Sequence, residues 1–251
     1  MTVKYLTAPD GYKIAYKNHA GEGPTFIWCG GLKSDMDGGK AVHLHEWARS
    51  IGQSFIRFDY FGHGISGGEF TDGTISRWSA DVCQIIDELT DGHVILIGSS
   101  MGGWSSLLAA IDHPDRVKGL LLINPAPDFT EKLTYASWSV EQKTALKRDG
   151  IVYEPSGYDE PYAYSAGLIE DGRARQILDA PIPFCGPVHI LQGEADTVVP
   201  WEYSMKILGA LESPDVDYTL VKGGDHSLSR PEDLDRLIRS AEVLRRKVCA
   251  K

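Results

Sequence analysis

An apolar run that ends in a glycine–serine–glycine turn constrains this chain more than any other feature. The run covers residues 94–97, the turn reads Gly98-Ser99-Ser100-Met101-Gly102, and a helical pattern rich in alanine and leucine continues to residue 111. A strand, a sharp turn and a helix in this order hold the central serine in a strained backbone conformation, so the residues two positions before and after it must be small. Gly98 and Gly102 meet this condition for Ser100 but not for Ser99. We therefore expect Ser100 to be a nucleophile.

Strand and helix patterns alternate along most of the chain. Residues 4–7 and 13–16 flank a Pro-Asp-Gly turn and predict a hairpin. Further strands are predicted at 25–28, 54–60, 94–97, 117–123, 188–191 and 218–221, and helices at 40–50, 74–89, 101–111, 201–211 and 231–248. This alternation indicates an α/β fold with a mostly parallel central sheet flanked by helices.

Residues 128–182 interrupt the alternation. Helical patterns cover 140–148 and 164–178, and no strand pattern of comparable strength occurs. An insertion of this length between two core strands predicts a helical lid (cap), with residues 1–127 and 183–251 as the core. The insertion is rich in aromatic residues, and we expect most to pack and a few to line a pocket: Phe129, Tyr135, Trp138, Tyr153, Tyr158, Tyr162 and Tyr164.

Charge and composition exclude several function classes. The formal net charge of −10 argues against nucleic acid and disfavours an anionic membrane surface. No apolar stretch approaches the ~20 residues that span a bilayer, so we expect no integral membrane association. The N-terminus shows neither a signal-peptide apolar region nor an arginine-rich transit sequence, which favours a cytoplasmic location. Neither a zinc site nor a disulfide framework is suggested by the spacing of Cys29, Cys83, Cys185 and Cys249.

A serine hydroxyl needs a base to remove its proton and an acid to orient that base. After a turn of this kind the acid and then the histidine follow the serine along the chain. Asp196 follows the strand at 188–191, and His226 is the one histidine beyond it. Asp128 is an alternative acid, and His63, in a glycine-rich turn after a strand, is the strongest rival base. The carboxyl ends of parallel strands would bring these loops to one edge of the sheet.

An ester or thioester carbonyl also needs two backbone donors for its developing negative charge. One donor should be the N–H of Met101, the residue after the nucleophile. The other should come from the turn after the strand at 25–28, where Gly31 is our choice and Leu32 the alternative. Together with Trp104 and Trp138, Leu32 is also expected to bind the acyl part of a substrate.

Four stretches of the chain resemble the α/β-hydrolase superfamily, and within it the branch of mitochondrial palmitoyl-protein thioesterases and acyl-glucuronide esterases. They are residues 55–60 (Phe-Ile-Arg-Phe-Asp-Tyr), 76–78 (Ser-Arg-Trp), 98–104 (Gly-Ser-Ser-Met-Gly-Gly-Trp) and 199–201 (Val-Pro-Trp). The resemblance implies a triad of Ser100, Asp196 and His226 that deacylates S-acylated cysteines or acyl-glucuronides. It implies no metal and no organic cofactor.

The residues themselves predict a serine hydrolase that cleaves carboxylic esters or thioesters through an acyl-enzyme at Ser100. Two alternatives stay open. A peptidase of similar architecture would need acids that hold a substrate amino terminus, such as Glu154, Asp159 and Glu160. A ligand-sensing protein would keep the pocket without turnover, although it has no general need of an intact nucleophile, base and acid.

Overall fold

The strands and helices follow the predicted order. In the computed structural model, residues 2–156 and 161–249 are described. The strands are β1 (Lys4–Thr7), β2 (Lys13–His19), β3 (Glu22–Cys29), β4 (Gln53–Phe58), β5 (Val94–Ser99), β6 (Val117–Ile123), β7 (Ile151–Glu154), β8 (Tyr162–Ser165), β9 (Val188–Gly193) and β10 (Val216–Val221). The helices are α1 (Gly39–Ser50), α2 (Ile75–Leu89), α3 (Met101–Asp112), α4 (Val140–Asp149), α5 (Ala166–Ala174), α6 (Trp201–Ala210) and α7 (Pro231–Cys249).

One eight-stranded sheet carries the fold, in the order β1-β2-β4-β3-β5-β6-β9-β10. The first two pairings, β1 with β2 and β2 with β4, are antiparallel. All the others, from β4 through β3, β5, β6 and β9 to β10, are parallel. The predicted fold class, a mostly parallel sheet in an α/β architecture, is confirmed.

Helices cover both faces of the sheet, so its central strands are buried from end to end. Every residue of β5 and of β9 is buried, as expected for parallel strands that have helices on either side. Helices α1 and α7 pack on one face and α2 and α3 on the other. The carboxyl ends of β3, β5, β6 and β9 consequently meet at one edge, where loops approach each other closely.

The insertion at 128–182 differs from the predicted helical cap. Besides α4 and α5 it contains a π-helix, Thr130–Tyr135, and an antiparallel hairpin formed by β7 and β8. The helix expected from residue 164 begins at Ala166, because the Ser165 side chain accepts a hydrogen bond from Leu168 N and starts the helix there. No strand was predicted at 151–154 or at 162–165. Tyr158, Asp159 and Glu160 lie outside the described residues.

Candidate active site

The turn after β5 has the strained geometry that its glycines predict. Ser100 has φ +53° and ψ −118°, and its N–H donates to Ile123 O at 2.9 Å. A Cβ atom added to Gly98 would lie 2.5 Å from Gly102 O, and one added to Gly102 would lie 2.1 Å from Cys29 O. Only glycine fits at these two positions. Their close approach holds Ser100 at the edge of the sheet, at the start of α3.

The structure brings Ser100, Asp196 and His226 together. His226 Nε2 lies 3.1 Å from Ser100 Oγ, and His226 Nδ1 lies 2.7 Å from Asp196 Oδ2. The Asp196 side chain is wholly buried, and its other oxygen accepts the N–H groups of Val198 at 2.8 Å and Val199 at 2.9 Å. A carboxylate fixed in this way favours a proton on Nδ1, which leaves Nε2 free to accept the serine proton.

Asp128, the alternative acid, bonds to the backbone of the insertion, whereas His226 pairs with Asp196. Its Oδ1 accepts the N–H of Ile177 at 2.9 Å, and its Oδ2 accepts the N–H of Leu178 at 3.0 Å. Both carboxylate oxygens are therefore occupied by the far end of the insertion.

The rival base, His63, has a structural environment as well. Its Nδ1 lies 3.0 Å from Phe61 O, and its Nε2 accepts the N–H of Lys33 at 3.1 Å. Burial lowers the pKa of His63 to about 4, so the ring is neutral near pH 7. The imidazole fixes the backbone just after Gly31 and Leu32, where Lys33 has φ +59°. Both nitrogens are used within the fold, and neither is available to Ser100.

Two candidate oxyanion donors lie beside the nucleophile. Met101 begins α3, and the first amides of a helix have no acceptor within the helix. A Cβ atom added to Gly31 would lie 3.5 Å from Ser100 Cβ, so this turn touches the serine. Leu32 also faces the cavity around Ser100. Gly31 stays our prediction for the second donor, because a Cβ atom at this position would already reach van der Waals distance from Ser100.

Two buried amide side chains that the sequence analysis missed support the histidine and acid loops. Asn124, with φ +43°, donates through Nδ2 to Asp225 O at 3.1 Å and to His226 O at 2.7 Å. Its Oδ1 accepts the N–H of Gly193 at 2.7 Å. Gln192 Nε2 donates to the carbonyl oxygens of Gly193 and Val199 within the acid loop. A polar residue directly after an apolar strand was the available signal for Asn124.

Lys40, in the first turn of α1, is a further residue that the sequence analysis missed. Its ammonium group donates to the carbonyl oxygen of Ser227, the residue after His226. Burial lowers the pKa of Lys40 to about 8, while the charges of Asp225 and Asp233 act in the opposite direction. This side chain connects α1 to the loop that carries the histidine.

A cavity of about 740 Å³ contains Ser100 and His226. One part of its wall is apolar or aromatic and includes Leu32, Met101, Phe129, Leu133, Tyr162, Tyr164, Val198 and Val199. Another part is polar and includes Ser34, Asp35, Lys40, Asp225, Ser227 and Ser229. The insertion and the core both contribute to the apolar part.

Two residues predicted to bind the acyl group do not line this cavity, whereas Leu32 does. The Trp104 ring is fully buried and packs edge-on against Phe129 at 5.9 Å between centroids. The Trp138 ring packs against Tyr164, also at 5.9 Å, and its Nε1 donates to Glu154 Oε1 at 2.6 Å. Both indoles thus lie one layer behind the aromatic rings that form the wall. Glu154, a candidate anchor for a peptide amino terminus, is engaged by Trp138.

The described residues form neither a metal-ligand cluster nor a membrane-spanning helix. No three side chains of His, Cys, Asp or Glu within residues 2–156 and 161–249 are grouped as metal ligands would be. Over the same residues, no helix combines the length and apolarity needed to cross a membrane.

Known proteins resemble the chain in sequence and in fold. The sequence profile of the α/β-hydrolase fold matches residues 24–149. A relative from Rattus norvegicus, "Palmitoyl-protein thioesterase ABHD10, mitochondrial", is 37% identical over 239 residues, which cover 94% of this chain and 80% of the relative. A solved structure from Agrobacterium vitis S4, described as a hydrolase, has a TM-score of 0.93 and 41% identity and covers 97% of this chain and 98% of its own. Mouse alpha/beta hydrolase domain-containing protein 10 has a TM-score of 0.90 and 35% identity, and it too covers 97% of this chain and 98% of its own.

These relatives correct the expected location. The rat protein is named as mitochondrial, which contradicts the cytoplasmic location that the sequence analysis favoured. That expectation depended on the residues at the start of the chain, and it is wrong.

Proposed function

The chain belongs to the α/β-hydrolase family and is a serine hydrolase of ester or thioester substrates; on this premise we propose that Ser100, Asp196 and His226 are its catalytic triad and that it deacylates long-chain thioesters. The geometry that supports the triad is the pair of contacts at His226, 3.1 Å to Ser100 Oγ and 2.7 Å to Asp196 Oδ2. Nucleophile, base and orienting acid lie within hydrogen-bond distance in the order that acyl transfer requires.

Two steps follow from this arrangement: acylation of Ser100, by attack and collapse, and then deacylation by water. Ser100 Oγ attacks the carbonyl carbon while its proton passes to His226 Nε2, and the carbonyl oxygen takes the negative charge beside the N–H groups of Met101 and Gly31. The tetrahedral intermediate then collapses, the carbon–sulfur bond breaks, and His226 returns the proton to the leaving thiolate. Water attacks the resulting acyl-enzyme with His226 again as the base, which releases the carboxylic acid and restores the Ser100 hydroxyl.

The apolar part of the cavity wall carries the proposal of a long acyl chain. Phe129, Leu133, Tyr162 and Tyr164 come from the insertion and face the same cavity as Ser100. An acyl chain gains about 0.8 kcal/mol for each CH₂ group that it buries against such a surface. The insertion therefore acts as a lid over the acyl group, and the name of the rat relative, a palmitoyl-protein thioesterase, agrees with an S-acylated cysteine as substrate.

A series of thioesters that share one leaving thiol tests the proposal. We expect kcat/KM to increase from acetyl through octanoyl to hexadecanoyl before it levels off. Phe129→Ala, which removes a ring from the cavity wall, should flatten this increase, while the matched control Tyr153→Ala, at an exposed ring of the same insertion, should not. A flat profile in the wild type would contradict a long-chain substrate and favour a small ester.

A fluorophosphonate probe tests the nucleophile independently of the acyl chain. We expect covalent labelling at Ser100 and none in Ser100→Ala. Labelling that persists in this variant would refute the assignment of the nucleophile, whatever the profile of acyl lengths.

A further inference from the structure

We propose that Asp128 is a positioning residue that sets the acyl-chain preference, because its carboxylate joins the two ends of the insertion that forms the wall of the acyl site. The inference rests on the proposed function, since it assigns a role in recognition of the acyl group. Asp128, which the sequence offered as an alternative acid for the triad, then has a different role from the triad residues.

The carboxylate connects parts of the chain that are distant in sequence. Asp128 is fully buried, and its two oxygens accept one N–H each, from Ile177 at 2.9 Å and from Leu178 at 3.0 Å. Its own carbonyl oxygen accepts the N–H of Lys132 at 2.9 Å, in the π-helix that follows. Asp128 therefore bonds to the start and the end of the insertion at once. A carboxylate that accepts two amide hydrogen bonds out of water holds its partners more firmly than a neutral acceptor would.

The junction between core and insertion, at residues 127 and 128, is also hydrogen-bonded to the core. Tyr203, on α6, donates from its hydroxyl group to Pro127 O at 2.6 Å, directly before Asp128. The backbone at Asp128 has φ +58°, which aspartate and asparagine tolerate better than most residues. The backbone at Pro127 and Asp128, where the chain passes from the core into the insertion, is therefore held in place.

The junction is close to the cavity wall. Phe129, the next residue, lines the cavity, and Leu133 lines it from the π-helix. On the other side of the π-helix, a Cβ atom added to Gly172 of α5 would lie 2.1 Å from Thr130 Oγ1. This packing leaves no room for the π-helix and α5 to shift separately. If the bonds to Ile177 and Leu178 are lost, the wall that contains Phe129 and Leu133 moves relative to Ser100.

Asp128→Asn is the most informative variant. Asparagine keeps the shape of the side chain and tolerates the positive φ, but it presents one oxygen and one NH₂ group to two N–H donors, so one hydrogen bond is lost. We expect the ratio of kcat/KM for hexadecanoyl to kcat/KM for acetyl thioester to decrease about tenfold, mainly through KM for the long chain. Acetyl thioester turnover and fluorophosphonate labelling should stay within about twofold of wild type.

Asp179→Asn is the matched control. Asp179 is an exposed carboxylate near the same end of the insertion; it also reaches the π-helix, through an ion pair with Lys132, but an exposed ion pair of this kind contributes little. Its substitution should leave the ratio between long and short substrates unchanged. A loss of the same size in Asp179→Asn would show that any charge change at this end alters the ratio, and it would overturn the specific role of Asp128.

Two outcomes with Asp128→Asn would refute the inference. An equal loss on acetyl and hexadecanoyl thioesters would place Asp128 in the chemical step, and an unchanged ratio would show that the junction does not control the wall. If the variant does not fold, Tyr203→Phe loosens the same junction from the core side and should shift the ratio in the same direction; no shift there refutes the inference. A flat profile in the wild type would instead refute the long-chain substrate itself and so is distinguishable from these results.

Discussion

Acid should destabilise the protein through His63, and the size of the effect follows from the structure. Burial lowers the pKa of His63 from 6.5 to about 4, because the ring is 3% exposed; the hydrogen bond to Phe61 O opposes this shift and the charge of Lys33 adds to it. Between these two pH values the unfolded chain binds a proton that the folded chain does not, so the free energy of unfolding decreases as the pH falls. At about 1.4 kcal/mol for each pH unit, His63 alone accounts for about 3 kcal/mol between pH 7 and pH 4.

The variant His63→Gln isolates this contribution. Its amide oxygen can accept the N–H of Lys33, but the side chain does not titrate in this range. Urea unfolding of both proteins at pH 7 and pH 4 should show that the wild type loses about 3 kcal/mol more than the variant. Burial also lowers the pKa of His45 to about 4, but that residue is present in both proteins and its contribution cancels in the comparison. Equal losses in the two proteins would refute a neutral, buried His63.

Three further substitutions test the candidate site. Ser100→Ala should reduce thioester turnover by at least about a thousandfold with an unchanged thermal melt, and activity above about a tenth of wild type would contradict the nucleophile. Gly102→Ala places a Cβ atom 2.1 Å from Cys29 O, so both activity and melting temperature should decrease, and wild-type values of both would contradict the close approach. Asn124→Asp replaces the NH₂ group that donates to the carbonyl oxygens of Asp225 and His226 by a carboxylate oxygen, which cannot donate. We expect kcat to decrease about tenfold or more with little change in KM. An unchanged kcat would show that the histidine loop needs no such support.

The order of the core strands and the juxtaposition of Ser100, Asp196 and His226 could be predicted because each signal is local. Ser100 lies between glycines that only one turn geometry requires, and Asp196 and His226 each follow a predicted strand. Parallel strands then place their carboxyl ends at one edge, so the order of elements is enough to bring the three side chains together. The strand at 117–123 was predicted with the observed limits, and the polar residues Arg116 and Asn124 flank it.

Which aromatic rings form the wall of the cavity could not be predicted, because this depends on how the insertion packs on the core. Trp104 and Trp138 are as apolar as Phe129 and Tyr164, but the packing of the insertion places the two indoles behind the two smaller rings. Nothing in the sequence distinguishes one layer from the next. The strands β7 and β8 were missed for another reason. The equally short β1 was recognised from the Pro-Asp-Gly turn that follows it, whereas the longer connection at 155–161 separates β7 from β8.

The buried polar residues around the site share a cause that the order of elements does not reveal. Loops at the carboxyl edge of the sheet are covered by the insertion, so their N–H and C=O groups need partners other than water. Asn124 supplies them for the histidine loop, His63 for the turn after β3, and Asp128 for the end of the insertion. Each of these side chains follows a core strand and bonds to the backbone of a different loop. The geometry around Ser100 therefore depends on side chains that bond to loops as well as on the sheet, and a substitution at any of the three should alter catalysis or selectivity although Ser100, Asp196 and His226 are unchanged.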